Sequence, residues 1–123
     1  MIDYLDGVAE VVDFVDDQPT LVTSNICISD VLAGEVFSAA ETDLIGAREN
    51  FGRVTALDFS EAVAFEAARM QNRLLESGDS MSPRDLMIAA MARSEGKELV
   101  VSDADFDTEG IREILTVRRF GPY

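Results

Sequence analysis

The 123-residue sequence contains no histidine and a single cysteine, Cys27. Serine–histidine and cysteine–histidine nucleophile pairs are thereby excluded within this chain. One thiol cannot supply the four nitrogen or sulfur ligands of a structural zinc site, and a disulfide would need a second chain. Lysine is nearly absent as well. Lys97 stands beside nine arginines, and 24 acidic residues outnumber the 10 basic ones, for a formal net charge of −14. Such a surface repels nucleic acid at low salt. In a salt-rich cytoplasm the objection weakens, because the Debye length falls to about 3 Å at 1 M. The acid excess leads us to expect a halophilic source, an expectation that fails if the protein folds equally well at low and at multimolar salt. No apolar run approaches the roughly 18 residues of a membrane span, and Met1-Ile2-Asp3-Tyr4-Leu5-Asp6 lacks the positive flank of a signal peptide. We therefore expect a cytoplasmic protein with no membrane partner.

What is present is a hydrophobic share of 47%, enough over this length for one packed core and too little for two ordinary domains. A single domain over residues 1–123 is expected. Short β-like runs alternate with longer helix-like stretches, which argues for an α/β fold with a mainly parallel sheet. A first helix is expected around Val8 to Val15, then a short strand at Leu21-Val22-Thr23 after Pro19. Ile28, Val31, Leu32 and Val36 share one face of the helix that follows. A further helix is expected around Ala40 to Phe51, and a strand over Val54-Thr55-Ala56-Leu57.

Ser60 caps the clearest amphipathic helix, with Val63, Ala67, Met70 and Leu74 at intervals of four, three and four, and Gly78 closes it. Ser82-Pro83-Arg84-Asp85 is a helix start, combining a capping Ser, Pro at the first helical position and an acid three residues after the cap. The helix it opens, Leu86 to Ala92, is apolar on nearly every side, which implies burial. Gly96 ends it. Leu99-Val100-Val101 is an apolar strand leading into Ser102-Asp103-Ala104-Asp105-Phe106, and Thr116-Val117 reads as a last strand.

In open parallel sheets, ligands bind beyond the carboxyl ends of the strands. Asp103, with Asp105 beside it, sits at such an end. Asp85 lies in the first turn of a buried helix, and Asp30 on the second turn of the helix leaving the Leu21 to Thr23 strand. Carboxylates gathered from separate elements repel each other unless a cation sits among them, and hard oxygen ligands suit Mg²⁺ or Mn²⁺. Such an ion activates water and clamps a phosphodiester without histidine. Each acid also has a plainer use. Asp85 completes a capping box, Asp103 and Asp105 form an Asx turn, and Asp30 belongs to a solvated helix side.

The segment Thr23-Ser24-Asn25-Ile26-Cys27-Ile28-Ser29-Asp30-Val31-Leu32-Ala33-Gly34 resembles the strand-to-helix passage of PIN-domain ribonucleases, particularly VapC toxins of toxin–antitoxin pairs. Ser82 to Ala92 is similar to that family's central acid helix, and Leu99 to Phe106 to its final acidic strand end. The resemblance spans essentially the whole chain in element order. It implies a three-layer α/β/α sandwich and Mg²⁺- or Mn²⁺-dependent RNA cleavage. A homodimer and a cognate antitoxin partner are implied with it. On this reading Asp30, Asp85 and Asp103 are the catalytic acids, and Asp105 joins them as a metal ligand.

The sequence departs from the family pattern at its start. The family's first strand and the Asp that ends it would precede Met1, so both are absent, and Asp30 stands where the family generally carries Glu. Two explanations fit: translation begins upstream, or the chain is a truncated relative with impaired metal binding. The intact core pattern favours the first. Three readings of function follow, namely a metal-dependent endoribonuclease, a catalytically impaired module that engages an antitoxin, and a phospho-receiver centred on Asp58. The receiver predicts a Lys after the last strand, whereas Lys97 precedes its strand. Of the remaining residues, Thr23 and Ser24 suit helix capping better than a site role. Cys27 reads as a small apolar residue, Arg84 as one half of a surface ion pair, and Met70, Met87, Met91, Phe59, Phe65 and Phe106 as core.

Overall fold

Ser24, Asp43, Ser60, Ser82 and Thr108 each place a side-chain oxygen over the opening turn of a helix, and these five caps divide the chain into its elements. The structure, a computed structural model, describes residues 9–18, 21–38, 41–50, 52, 54–101 and 104–120. It divides into two compact units, Met1–Asp58 and Phe59–Tyr123.

The first unit contains α1 (Ala9–Asp16), β1 (Val22–Ser24), α2 (Asn25–Ser38), α3 (Leu44–Glu49) and β2 (Thr55–Leu57). β1 and β2 pair in parallel, with Val22 opposite Thr55 and Ser24 opposite Leu57. The crossover between them is helical, as parallel pairing requires. Ser24 is buried, and its hydroxyl accepts from the Cys27 amide at 3.0 Å, which is the capping use expected of it. α3 is shorter than the helix expected from Ala40 to Phe51. The Asp43 carboxylate accepts from the Gly46 amide at 2.9 Å and so starts the helix late, and Asn50 caps its end. Ala40 and Phe51 lie outside the described residues, as does Val8 at the start of the first expected helix.

The second unit contains α4 (Glu61–Glu76), α5 (Pro83–Ser94), β3 (Leu99–Val101), a 3₁₀ turn (Ala104–Phe106), α6 (Glu109–Arg112) and β4 (Val117–Arg119). β3 and β4 are also parallel, from Leu99 opposite Val117 to Val101 opposite Arg119. α4 and α5 pack against each other. The buried residues of α4 are Val63, Ala67, Met70 and Leu74, the four that the sequence period selects. Those of α5 are Leu86, Ala89, Ala90 and Met91, in keeping with its all-round apolar character.

Both helices end in the same way. At the end of α4 the Gly78 amide donates to Leu75 O at 3.1 Å and the Asp79 amide to Leu74 O at 2.8 Å, with Gly78 at φ +75°. Gly96 and Lys97 repeat the pattern after α5. This closure needs a left-handed residue just past the helix, which only glycine adopts without strain. Arg93 of α5 pairs with Glu66 of α4 at 2.6 Å and donates to the Ile114 carbonyl, joining three segments. Among the described residues, no helix is long and apolar enough to cross a membrane.

Candidate metal centre

Within the first unit, the carboxyl ends of β1 and β2 release the chain at Asn25 and Asp58. The two side chains meet there, Asn25 Nδ2 donating to Asp58 Oδ1 at 3.4 Å. Asp30 follows on α2 and is exposed. At about 100° per residue it is rotated roughly 140° from Asn25, well round the helix. The face nearer Asn25 instead lines a shallow apolar groove of about 380 Å³, with Ile28, Leu32, Val36 and Leu44 along it. The groove holds no charged side chain, so it offers an ion no carboxylate. Beside it Phe37 is 89% and Ile45 75% exposed.

Within the second unit, Ser82 Oγ accepts from the Asp85 amide at 3.4 Å, and Pro83 takes the first helical position. Asp85 is thus held at the mouth of α5. Its side chain is only 16% exposed, and Arg84 donates to Asp85 Oδ1 at 3.2 Å, the ion pair expected for Arg84. The start of α5 is itself pinned by Gln71 of α4, whose side-chain amide donates to Met81 O at 3.0 Å and accepts from Met81 N at 3.2 Å.

Beyond β3, Asp105 is exposed in the 3₁₀ turn, next to buried Phe106. Asp103 lies outside the described residues. Asp107 follows the turn, and its carboxylate takes the Arg112 guanidinium and, at 3.6 Å, that of Arg119 on β4. The hydrogen bond from Arg112 is the main reason that the Asp107 carboxyl titrates below its ordinary range, with the charges of Arg112 and Arg119 adding to it.

Carboxylate is the donor type that Mg²⁺ and Mn²⁺ prefer, so the expected ligands fit such an ion in kind. Among the described residues, no three His, Cys, Asp or Glu side chains form a group that could hold one. Asp85 and Asp105 belong to one compact unit, Asp30 to the other. Asn25, Asp79, Asp107 and Thr108 escaped the sequence reading. The available signals were local: Asn25 directly follows β1, Asp107 directly follows the 3₁₀ turn, and Thr108 stands at a helix start.

Helical crossovers and parallel strand pairs define an α/β protein. The chain belongs to the PIN domain family, whose model matches residues 4–109. Solved structures agree in fold. A VapBC-1 structure from nontypeable Haemophilus influenzae aligns with a TM-score of 0.77 at 21% identity, covering 96% of this chain and 90% of that one. DNA-bound VapBC from Salmonella typhimurium gives 0.75 at 21% identity, over 96% and 90%. VapBC-5 from Mycobacterium tuberculosis, a member of the VapBC family of toxin–antitoxin systems, gives 0.64 at 26% identity, over 80% and 81%. No curated protein sequence matches. Family membership replaces the receiver reading, and Asp58 serves here as an acceptor for Asn25.

Proposed function

We propose that this chain is a VapC-type toxin, one PIN domain over residues 1–123 that hydrolyses RNA phosphodiester bonds with the help of Mg²⁺ or Mn²⁺. The observation that carries the reading is the family match over residues 4–109, with candidate acids retained within it. Asp30, Asp85, Asp103 and Asp105 would hold the ion. When bound, it would acidify a water and neutralise charge on the phosphate.

The chain's own contribution is positioning. The Ser82 cap and the Gln71 clamp on Met81 orient the opening turn of α5, so that Asp85 is presented in a set direction rather than on a free loop. Arg84, already seated beside Asp85, offsets part of its negative charge. Having no histidine to take up a proton, the site would leave proton removal from water to the carboxylates, with Asp85 or Asp103 orienting that water.

A cognate antitoxin is the proposed protein partner, as in the VapBC complexes that share the fold. Phe37, Ile45, Val36 and Leu44 on the α2–α3 hairpin support a protein-covered surface, because clustered apolar side chains exposed to water favour association. A homodimer belongs to the same proposal.

Single-turnover cleavage of a structured RNA, with and without Mg²⁺, tests the enzymatic reading. Asp85→Asn should slow cleavage by about 100-fold or more, the scale of losing several kcal/mol of transition-state stabilisation. Equal rates for the two proteins would defeat the role given to Asp85. Antitoxin binding without any Mg²⁺-dependent cleavage would favour the second reading, a non-catalytic module, which the exposed hairpin equally supports.

A further inference from the structure

Asp79 lies in the loop between α4 and α5, six residues before Asp85, while Thr108 stands three residues after Asp105 and caps α6. The two side chains meet: Thr108 Oγ1 donates to Asp79 Oδ2 at 2.6 Å and accepts from the Ile111 amide at 3.3 Å. Asp79 Oδ1 takes the Ser80 amide at 2.8 Å. Both carboxylate oxygens of Asp79 are therefore engaged in holding loops. Gly110 leaves the space this needs, since a Cβ there would stand 2.9 Å from Asp79 Oδ2 and 3.3 Å from Leu74 Cδ2.

We propose that Asp79 is a positioning residue, which through Thr108 ties the loop launching the Asp85 helix to the turn bearing Asp105 and so sets the spacing of these two acids. The inference rests on the metal-site reading above. The hydrogen bond is direct, short and internal to one compact unit, and it joins segments 29 residues apart in sequence. Gln71 fixes the far end of the Asp79 loop on Met81, and Asp107 fixes the Asp105 turn on Arg112 and Arg119. Each loop is thus anchored on its own side, and Asp79–Thr108 is the bridge between them.

Mn²⁺ titration of the full chain by calorimetry tests the bridge. Asp79→Ala and Thr108→Val should weaken Mn²⁺ binding by about 10- to 100-fold, the usual effect of removing a group that orients a ligand. Asp79→Asn and Thr108→Ser keep an acceptor and a donor and should bind nearly as wild type does. Gly110→Ala places a methyl 2.9 Å from Asp79 Oδ2, and by displacing that carboxylate it should weaken Mn²⁺ binding as well. Wild-type affinity in both Asp79→Ala and Thr108→Val would overturn the proposal. If the wild-type chain binds Mn²⁺ no better than Asp85→Asn, the metal reading fails instead. Hydrogen exchange over residues 104–108 then decides the bridge alone: faster exchange in Asp79→Ala upholds it, and unchanged exchange overturns it.

Discussion

Asp79 is the residue at which local chemistry and long-range geometry separate most clearly. Its carboxyl titrates below the ordinary range, chiefly because it accepts from the Thr108 hydroxyl and secondarily from the Ser80 amide. A carboxyl whose folded-state pKa is lowered contributes stability above its unfolded value of about 4, and loses it as pH falls through the folded value. The urea midpoint of the wild type should therefore drop on acidification below about pH 4, and the drop should be shallower in Asp79→Asn. Parallel pH profiles for the two proteins would refute this. Ser60, Ser82 and Gly78 were legible from the sequence, because a cap or a left-handed glycine acts within a few residues of itself. The bonds from Asn25 to Asp58 and from Thr108 to Asp79 were not, because they span 33 and 29 residues.

The helices show how far a period can be trusted. In α4 the apolar stripe is buried, with Leu74 only 1% exposed, while Phe65 on another face is 59% exposed. Leu74→Ala should destabilise the protein by about 2–5 kcal/mol, whereas Phe65→Ala should stay within about 0.5 kcal/mol. Urea unfolding of both variants checks the contrast, and similar losses would contradict the burial assigned to α4. Phe65 was expected in the core and is not there, since it falls off the Val63–Ala67–Met70–Leu74 face. α2 carries a comparable apolar stripe, yet none of its residues is fully buried. A period identifies a face but not what covers it. The last strand was placed at Thr116-Val117 and is Val117–Arg119, because its partner β3 sets the register and Glu98 pairs with Arg118 at 2.7 Å. No apolar pattern in Val117-Arg118-Arg119 signals such a strand.

For the molecule as a whole, the net charge of −14 makes self-repulsion the dominant long-range term. The exposed pairs, among them Arg69–Glu66 and Arg118–Glu98, contribute little individually and are weakened by salt. Screening the excess should outweigh their loss, so the melting temperature should rise between about 0.1 and 2 M NaCl, as the Debye length shortens from about 10 Å to below 3 Å. A flat or falling curve would count against the halophilic expectation. The same screening would let so acidic a chain approach RNA, which links the stability test to the proposed activity.

Parallel α/β organisation, the start and end of α4 and α5, the buried stripe of α4 and the family itself were determined by the sequence alone. Each depends on residue type and on spacing along the chain, and these survive without knowledge of distant neighbours. Only the tertiary structure decided that Gln71 clamps Met81, that Asp79 and Thr108 join the two acid-bearing loops of one unit, that Asp107 draws in Arg112 and Arg119, and that the α2–α3 hairpin leaves apolar side chains in water. These depend on which distant segments the fold brings within hydrogen-bonding range or leaves uncovered, and a carboxylate's neighbours across space leave no mark on its neighbours along the chain.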